Sequence, residues 1–267
     1  MKLIMKYLIK LLGKIKGQLF LEHIFNIALK YMNFGNGGNF KKSGELNVLK
    51  HLSKHFEKNI SLTLFDVGAN AGNYTKALSD FFKERAVIHS FEPSGKTFEI
   101  FLETTKNIQN IIPNNFGFSD VENHQLLYTD ADGSGYASTY QRNLKHFGLS
   151  MDKSEEIRLT TIDNYCKLNK IERIHFLKLD IEGHELRALH GAKQMIDNNK
   201  IDFIQFEFGG CNIDSRTFFQ DFYYLLKDNY SIYRILKDGL FEIPEYKETY
   251  EIFITINYLA IRKLQKI

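Results

Sequence analysis

Near the start of the chain the apolar positions Leu3, Ile4, Tyr7, Leu8, Leu11, Leu12, Ile15 and Leu19 recur at intervals of three and four. Lys2, Lys6, Lys10 and Lys14 repeat every fourth residue between them. That spacing predicts one amphipathic helix over residues 1–30 with a lysine stripe. The lysines interrupt the unbroken apolar run that a secretory signal or a membrane span needs, so neither is expected. Such a helix either packs on the body, lies on an anionic inner membrane face, or pairs with a second subunit. Residues 33–44, NFGNGGNFKKSG, break all periodicity and read as a linker or mobile loop before a short helix over 45–58. The chain is thus expected to divide into an N-terminal appendage, 1–58, and a main domain, 59–267.

From residue 61 the pattern changes to apolar runs alternating with amphipathic stretches: SLTLFDV, a helix over 74–83, AVIHSF, a helix over 94–107, then IIPNNFGF. Strand and helix in alternation predict an α/β fold, a mostly parallel sheet with helices on both faces. Residues 123–154 are irregular, with short strands at 125–128 and 157–159 around the polar DADGSGYAS. Because a long loop in a compact domain is usually functional or mobile, 130–148 is the candidate lid. A helix at 161–168, the strand IHFLKLD, a helix over 183–196, the strand IDFIQFEF, a helix over 215–227 and the late strands SIYRIL and IFITINYLAIR bring the count to about seven strands.

Composition narrows this further. At 43% hydrophobic and 25% charged, with 3 Pro, the 267 residues are too apolar for a disordered chain and too poor in Pro for a fibrous one. Cys166 and Cys211 show no CxxC or Cys/His spacing, which argues against a disulfide scaffold or structural zinc and fits a reducing cytoplasm. Over residues 1–30, six lysines against the single Glu22 leave +5, so the remainder sums to −2 for a total of +3. A body without net basic charge does not suit a nucleic-acid partner.

Two motifs carry candidate chemistry. In FDVGANAG, Gly68 and Gly72 allow close approach of a ligand where a strand gives way to a helix, and Asp66 just ahead favours an amino-bearing ligand over a diphosphate. Glu92 ends the next strand, where a carboxylate can accept both hydroxyls of a ribose. No GxGxxG is present, which disfavours the alternative of a nicotinamide oxidoreductase. A non-catalytic membrane-associated module is suggested by the lysine helix alone.

With FDVGANAGNYT, FEPSGKTFEIF, NNFGFSD and, above all, FLKLDIEGHELRALHGA followed by IDFIQFEF, the sequence resembles the FkbM family of S-adenosylmethionine-dependent methyltransferases. The resemblance runs from about Leu62 to Ile235. It implies the class I methyltransferase (Rossmann-like) sheet of seven strands with the last pair antiparallel, and O-methylation of a sugar or other small-molecule or glycan hydroxyl. By the same resemblance Asp66, Gly68, Ala69, Asn70, Gly72, Tyr74 and Thr75 belong to the cofactor loop. Glu92 and Pro93 fall on the ribose side, the segment Asn115 to Phe118, with Asn115 and Phe116 first, on the adenine side, and Asp180 close to the methyl group.

DIEGHE, at the end of the strand IHFLKLD, lacks the Asn/Asp-Pro-Pro-aromatic stretch that holds an exocyclic amine, so the acceptor is expected to be oxygen. A base or a divalent metal must then assist a poorly nucleophilic alcohol. Asp180, Glu182, His184 and Glu207 are the candidates, and Asp180, Glu182 and Glu207 together could hold Mg²⁺ or Mn²⁺. A first-turn helix carboxylate is the plainer reading of Glu182, and an exposed first-turn residue that of His184. Lys178, an ammonium within an apolar strand, needs a carboxylate partner, and the neighbouring strand ending in Asp66 can provide one.

Overall fold

The computed structural model describes residues 13–57 and 60–263. In chain order its strands are β1 (Leu62–Val67), β2 (Ala86–Phe91), β3 (Ile111–Asn114), β4 (Gly117–Phe118), β5 (Asn123–Thr129), β6 (Lys153–Thr160), β7 (Ile174–Leu179), β8 (Ile201–Phe208), β9 (Tyr230–Ile235), β10 (Leu240–Ile243) and β11 (Ile256–Arg262). Eight form one sheet in the order β10-β9-β11-β8-β7-β1-β2-β3, while β4, β6 and β5 make a separate small sheet. The run from β3 to β8 is parallel, and β11 is antiparallel to both β8 and β9. This is the class I methyltransferase sheet with one strand added. The extra strand, β10, pairs antiparallel with β9 at the edge. Its central Phe241 and Glu242 are exposed, so it lacks the apolar run by which the other strands are recognised.

Among the described residues the α-helices of five residues or more are α1 (Gln18–Tyr31), α2 (Glu45–His55), α3 (Asn73–Phe82), α4 (Gly95–Thr105), α5 (Ile162–Leu168), α6 (Glu185–His190), α7 (Lys193–Asp197), α8 (Cys211–Ser215) and α9 (Phe219–Leu226). Strand alternation sends Leu62, Leu64, Phe176 and Phe203 to one face, against Val48, Leu52, Leu78 and Phe82 of α2 and α3. Phe65, Val67, Leu177 and Phe206 go to the other, against Ile162, Ala188, Ile196 and Phe222. Strand order reverses between β1 and β7, so the crevice for a ligand opens at the carboxyl ends of those two strands.

The N-terminal expectations need correction. Of the helix foreseen over 1–30, residues 13–17 are not helical and α1 begins at Gln18; residues 1–12 lie outside the described residues. Nor does α1 pack an apolar stripe on the body, because Leu29 is its one buried residue. The supposed linker is held firmly. Asn33 Nδ2 donates to Ser43 O at 2.7 Å and to Ile235 O at 3.0 Å, Phe34 is buried, and the Gly35 N–H donates to Thr255 O at 2.9 Å. α2 lies inside one of the two cores, with Val48, Leu49 and Leu52 buried there.

Candidate active site

On the α2/α3 face the strands change character at their carboxyl ends. Leu64, Phe176 and Phe203 stand side by side, and the next rung on that face is Ser90, Asp66, Lys178 and Gln205. One pleat further come Asp180 and Glu207, the latter opposite Asn257. An apolar core layer is thus replaced by two layers of polar side chains, sealed from the side by Glu45 of α2 and Tyr74 of α3.

Lys178 organises this edge. Its Nζ lies 3.1 Å from Asp180 Oδ2, 3.6 Å from Asp66 Oδ1 and 4.8 Å from the centre of the Tyr74 ring. Burial opposes its charge, but Asp180, Asp66 and Glu45 together hold its pKa above the ordinary lysine value. Asp66 is fully buried and accepts from the Thr75 hydroxyl at 2.6 Å. Neither Asp66 nor Thr75 reaches the crevice, contrary to their expected place on the cofactor, because strand alternation turns Asp66 beneath the first turn of α3. Gly72 also stands back: a Cβ there would meet Thr105 at 2.9 Å, so it serves the packing of α3 on α4. Gly68 is the close-approach residue. At φ 80°, a Cβ on it would lie 1.9 Å from Asp180 O, so only glycine lets the β1 and β7 loops meet.

Two concavities flank this meeting point. A narrow slot of about 70 Å³ is lined by Asn70, Glu92, Pro93, Thr97, Phe118, Leu127, Ser134, Ala137, Ile157, Leu159 and His184. Glu92 is buried in its wall and accepts the Asn70 N–H at 2.9 Å and the Ser94 N–H at 3.0 Å. Burial pushes its pKa up to about 7, against the pull of those two N–H groups. Asn115 braces the loop from behind, donating to Glu92 O at 2.9 Å and Pro93 O at 3.2 Å. Phe116 packs on Phe91 and beneath Arg158. Of segment 115–118, Gly117 and Phe118 line the slot; Asn115 and Phe116 do not.

The second concavity, about 740 Å³, is lined by Gly37, Phe40, Glu45, Ala69, Tyr74, Tyr136, Arg142, Lys178, Glu207, Cys211 and Thr255. Ala69 and Tyr74, expected on the cofactor, therefore face this larger space. Gly68, Asn70, Gly135, Asp180 and Glu182 border both. Glu45 accepts from Ser43 Oγ at 2.8 Å and Gln205 Nε2 at 2.6 Å, and burial raises its pKa to about 7. Glu182 pairs with Arg142, whose Nε is 3.5 Å from Asp214, yet burial still raises Glu182 to about 8. Glu207 has no hydrogen bond or ion pair to a described residue, and burial drives its pKa well above the carboxylate range.

The DIEGHE turn distributes its roles differently from expectation. Glu185, not Glu182, satisfies the backbone there, accepting the Ile181 N–H at 2.8 Å and the Gly183 N–H at 3.0 Å. The helix begins only at Glu185 and breaks between α6 and α7, which frees Glu182 to face the cavity. His184 is buried, with Nδ1 3.0 Å from Thr139 Oγ1 and Nε2 3.0 Å from Ser119 Oγ. Burial lowers its pKa to about 4. A neutral imidazole with both nitrogens occupied by hydroxyls is a poor general base, so that candidacy falls.

Nor do Asp180, Glu182 and Glu207 assemble as a cation site. Among the described residues the ligand atoms that converge, within 4.8 Å, belong to Glu182, Glu207 and Cys211. A thiol beside a carboxylate already held by arginine does not match the oxygen shell that Mg²⁺ or Mn²⁺ requires.

The loop between β5 and β6, the candidate lid, covers both spaces. Asn70 Nδ2 donates to Ser134 O at 3.2 Å, and Ser138 Oγ donates to Glu182 O at 2.7 Å. Sequence reasoning missed Arg142 in this loop, Glu45 at the start of α2, and Gln205. Gln205 did leave a signal, as a second polar residue in IDFIQFEF. Glu45 left none, since an acid in a helix's first turn is unremarkable in sequence.

Residues 66–235 match the family model described as the methyltransferase FkbM domain. Hexuronic acid methyltransferase AglP of Haloferax volcanii is 25% identical over 167 residues, 62% of this chain and 64% of its own length, so the chain spans less than two thirds of that relative. Among solved structures, a fibrillarin pre-rRNA processing protein of Methanococcus jannaschii shares 12% identity at a TM-score of 0.42, covering 84% of this chain and 76% of its own. The N-terminal domain of human METTL16 shares 11% at 0.42, covering 82% and 68%.

Proposed function

The chain belongs to the FkbM methyltransferase domain family, and on that premise we propose that it carries a methyl group from S-adenosylmethionine to a hydroxyl of a sugar. The observation that carries this reading is the shared wall: a slot with one buried carboxylate and an acid-lined cavity meet at Gly68, Asn70, Asp180 and Glu182. The lining of the slot suits the adenosine end of the cofactor, and at about 70 Å³ the slot must widen by movement of the loop between β5 and β6 to admit it. Phe118, Leu127, Ile157 and Leu159 offer an apolar bed for a flat base, and Glu92 can accept from the two hydroxyls of a ribose. Bound there, the cofactor supplies an electrophilic methyl group on a sulfonium. The acceptor hydroxyl sits on the cavity side of Asp180. Asp180, bordering both spaces, would take the proton of that hydroxyl as it accepted the methyl group. Lys178 fixes the orientation of that carboxylate, and holding the atoms in line is the larger part of the rate.

The relative's hexuronic acid points to a sugar acceptor, and the cavity favours a neutral one. Lys178 and Arg142 are the cations among its described lining residues, and both are engaged by carboxylates. Glu45, Glu182 and Glu207 instead offer acceptor oxygens to sugar hydroxyls. Calorimetry with S-adenosylmethionine and NADH, followed by mass spectrometry of a panel of neutral and uronic nucleotide sugars, tests the reading. S-adenosylmethionine should bind, NADH should not, and a neutral hexose should gain the methyl group. Binding of NADH alone would overturn it.

A further inference from the structure

Helix α1 stands almost wholly outside the body. Phe20, Ile24, Ile27 and Tyr31 follow one another at four, three and four, so they share one helical face. Each is between 41% and 89% exposed. Glu22, Asn26 and Lys30 stand off this face, beside Leu19 and Phe25, which are exposed as well. An apolar stripe of this kind left in water signals a partner surface. Its surroundings say which: Lys14 and Lys16 precede it, both exposed, Lys2, Lys6 and Lys10 precede those in sequence, and Glu22 is the one acid among residues 1–30.

We propose that α1 lies in the surface of an anionic lipid layer, with Phe20, Ile24, Ile27 and Tyr31 in the headgroup boundary and Lys14 and Lys16 on the lipid phosphates. Charge favours lipid over a second copy, because two such heads would set lysines against lysines, whereas an anionic surface neutralises them. Length favours lying on the layer over crossing it. Fourteen residues of helix span about 21 Å, short of the roughly 30 Å hydrocarbon core. No helix among the described residues is long and apolar enough to cross a membrane.

The attachment is not a loose tether. Directly after α1, Asn33 is bonded to Ser43 O and Ile235 O, and Phe34 is buried with the Arg234 guanidinium 5.1 Å from its ring. Gly35 and Gly37 then form part of the rim of the large cavity. Docking of α1 therefore brings the cavity's rim beside the lipid surface. The docking itself is independent of methyl transfer.

Flotation of the full chain with phosphatidylcholine vesicles, with and without phosphatidylglycerol, tests it. The chain should float with the anionic vesicles only, and less as salt is raised. Phe20→Ser/Ile24→Ser/Ile27→Ser and Lys14→Glu/Lys16→Glu should each weaken vesicle binding roughly tenfold or more. Both should keep the parent's circular dichroism and unfolding midpoint, because the replaced side chains are exposed. A parent that stays unbound overturns the proposal, as do variants that float like the parent. So does a lipid-free dimer in light scattering that the Phe20 variant dissolves, which would assign the face to a second copy.

Discussion

The slot and the cavity meet at Asp180 and are built in opposite ways. The slot is small, walled by apolar side chains, and its own carboxylate, Glu92, is tied to two backbone N–H groups of adjacent loops. The cavity is ten times larger and lined by side chains from α2, β7, β8, the lid loop and the segment after α1, with Lys178 and Arg142 set among buried acids. One is an apolar mould whose carboxylate is fixed by the backbone; the other is an electrostatic arrangement of distant side chains. Backbone fit should therefore govern the cofactor side and the fold beneath it, while protonation should govern the acceptor side.

The strongest way to break that partition is Gly68→Ala. Its new Cβ would fall 1.9 Å from the Asp180 carbonyl at a backbone angle that L-residues rarely adopt. The expected loss of stability is at least about 3 kcal/mol, read from urea unfolding. A smaller change isolates the slot. In Glu92→Gln an amide offers one acceptor where the carboxylate offers two, so either the Asn70 or the Ser94 N–H loses its partner. Binding of S-adenosylmethionine should weaken by roughly 1 to 3 kcal/mol in calorimetry with the fold retained, and unchanged binding would remove Glu92 from the ribose.

The effect that is smallest at any one pH step belongs to the cavity. Burial raises the pKa of Glu45 from 4.5 to about 7, so between those values the folded chain holds a proton that the unfolded chain has released. Its contribution to stability is complete below 4.5 and is lost as pH rises through about 7. The slope is at most about 1.4 kcal/mol per pH unit. Glu182, raised to about 8, extends the same trend upward. Glu45→Gln should flatten the decline in unfolding free energy over this window. A decline as steep as the parent's would mean that Glu45 is not buried as an acid.

What could be read from sequence follows the same division. The loops bearing Gly68, Asn70 and Glu92 each lie within a few residues of a strand end, so short runs such as FDVGANAG and HSFEPSG disclose them, and IHFLKLD discloses Asp180. The cavity brings Glu45, Arg142, Lys178 and Glu207 together from positions far apart in the chain, and no local pattern carries that pairing. Periodicity also failed where burial was not the cause of it. The apolar repeat over residues 1–30 ignores the turn at Gly13 to Gly17, and Asp66 looked available to a ligand because strand direction, not residue type, decides which way it points.

The central claim is that methyl transfer takes place where slot and cavity join, with Asp180 as the proton acceptor. The most direct measurement is kcat of Asp180→Asn on the identified acceptor, paired with its calorimetric affinity for S-adenosylmethionine. Loss of the base should lower kcat by about 10² or more and leave cofactor affinity within about twofold of the parent. Near-normal turnover would contradict the account, and so would a collapse of cofactor binding that accounts for the whole loss.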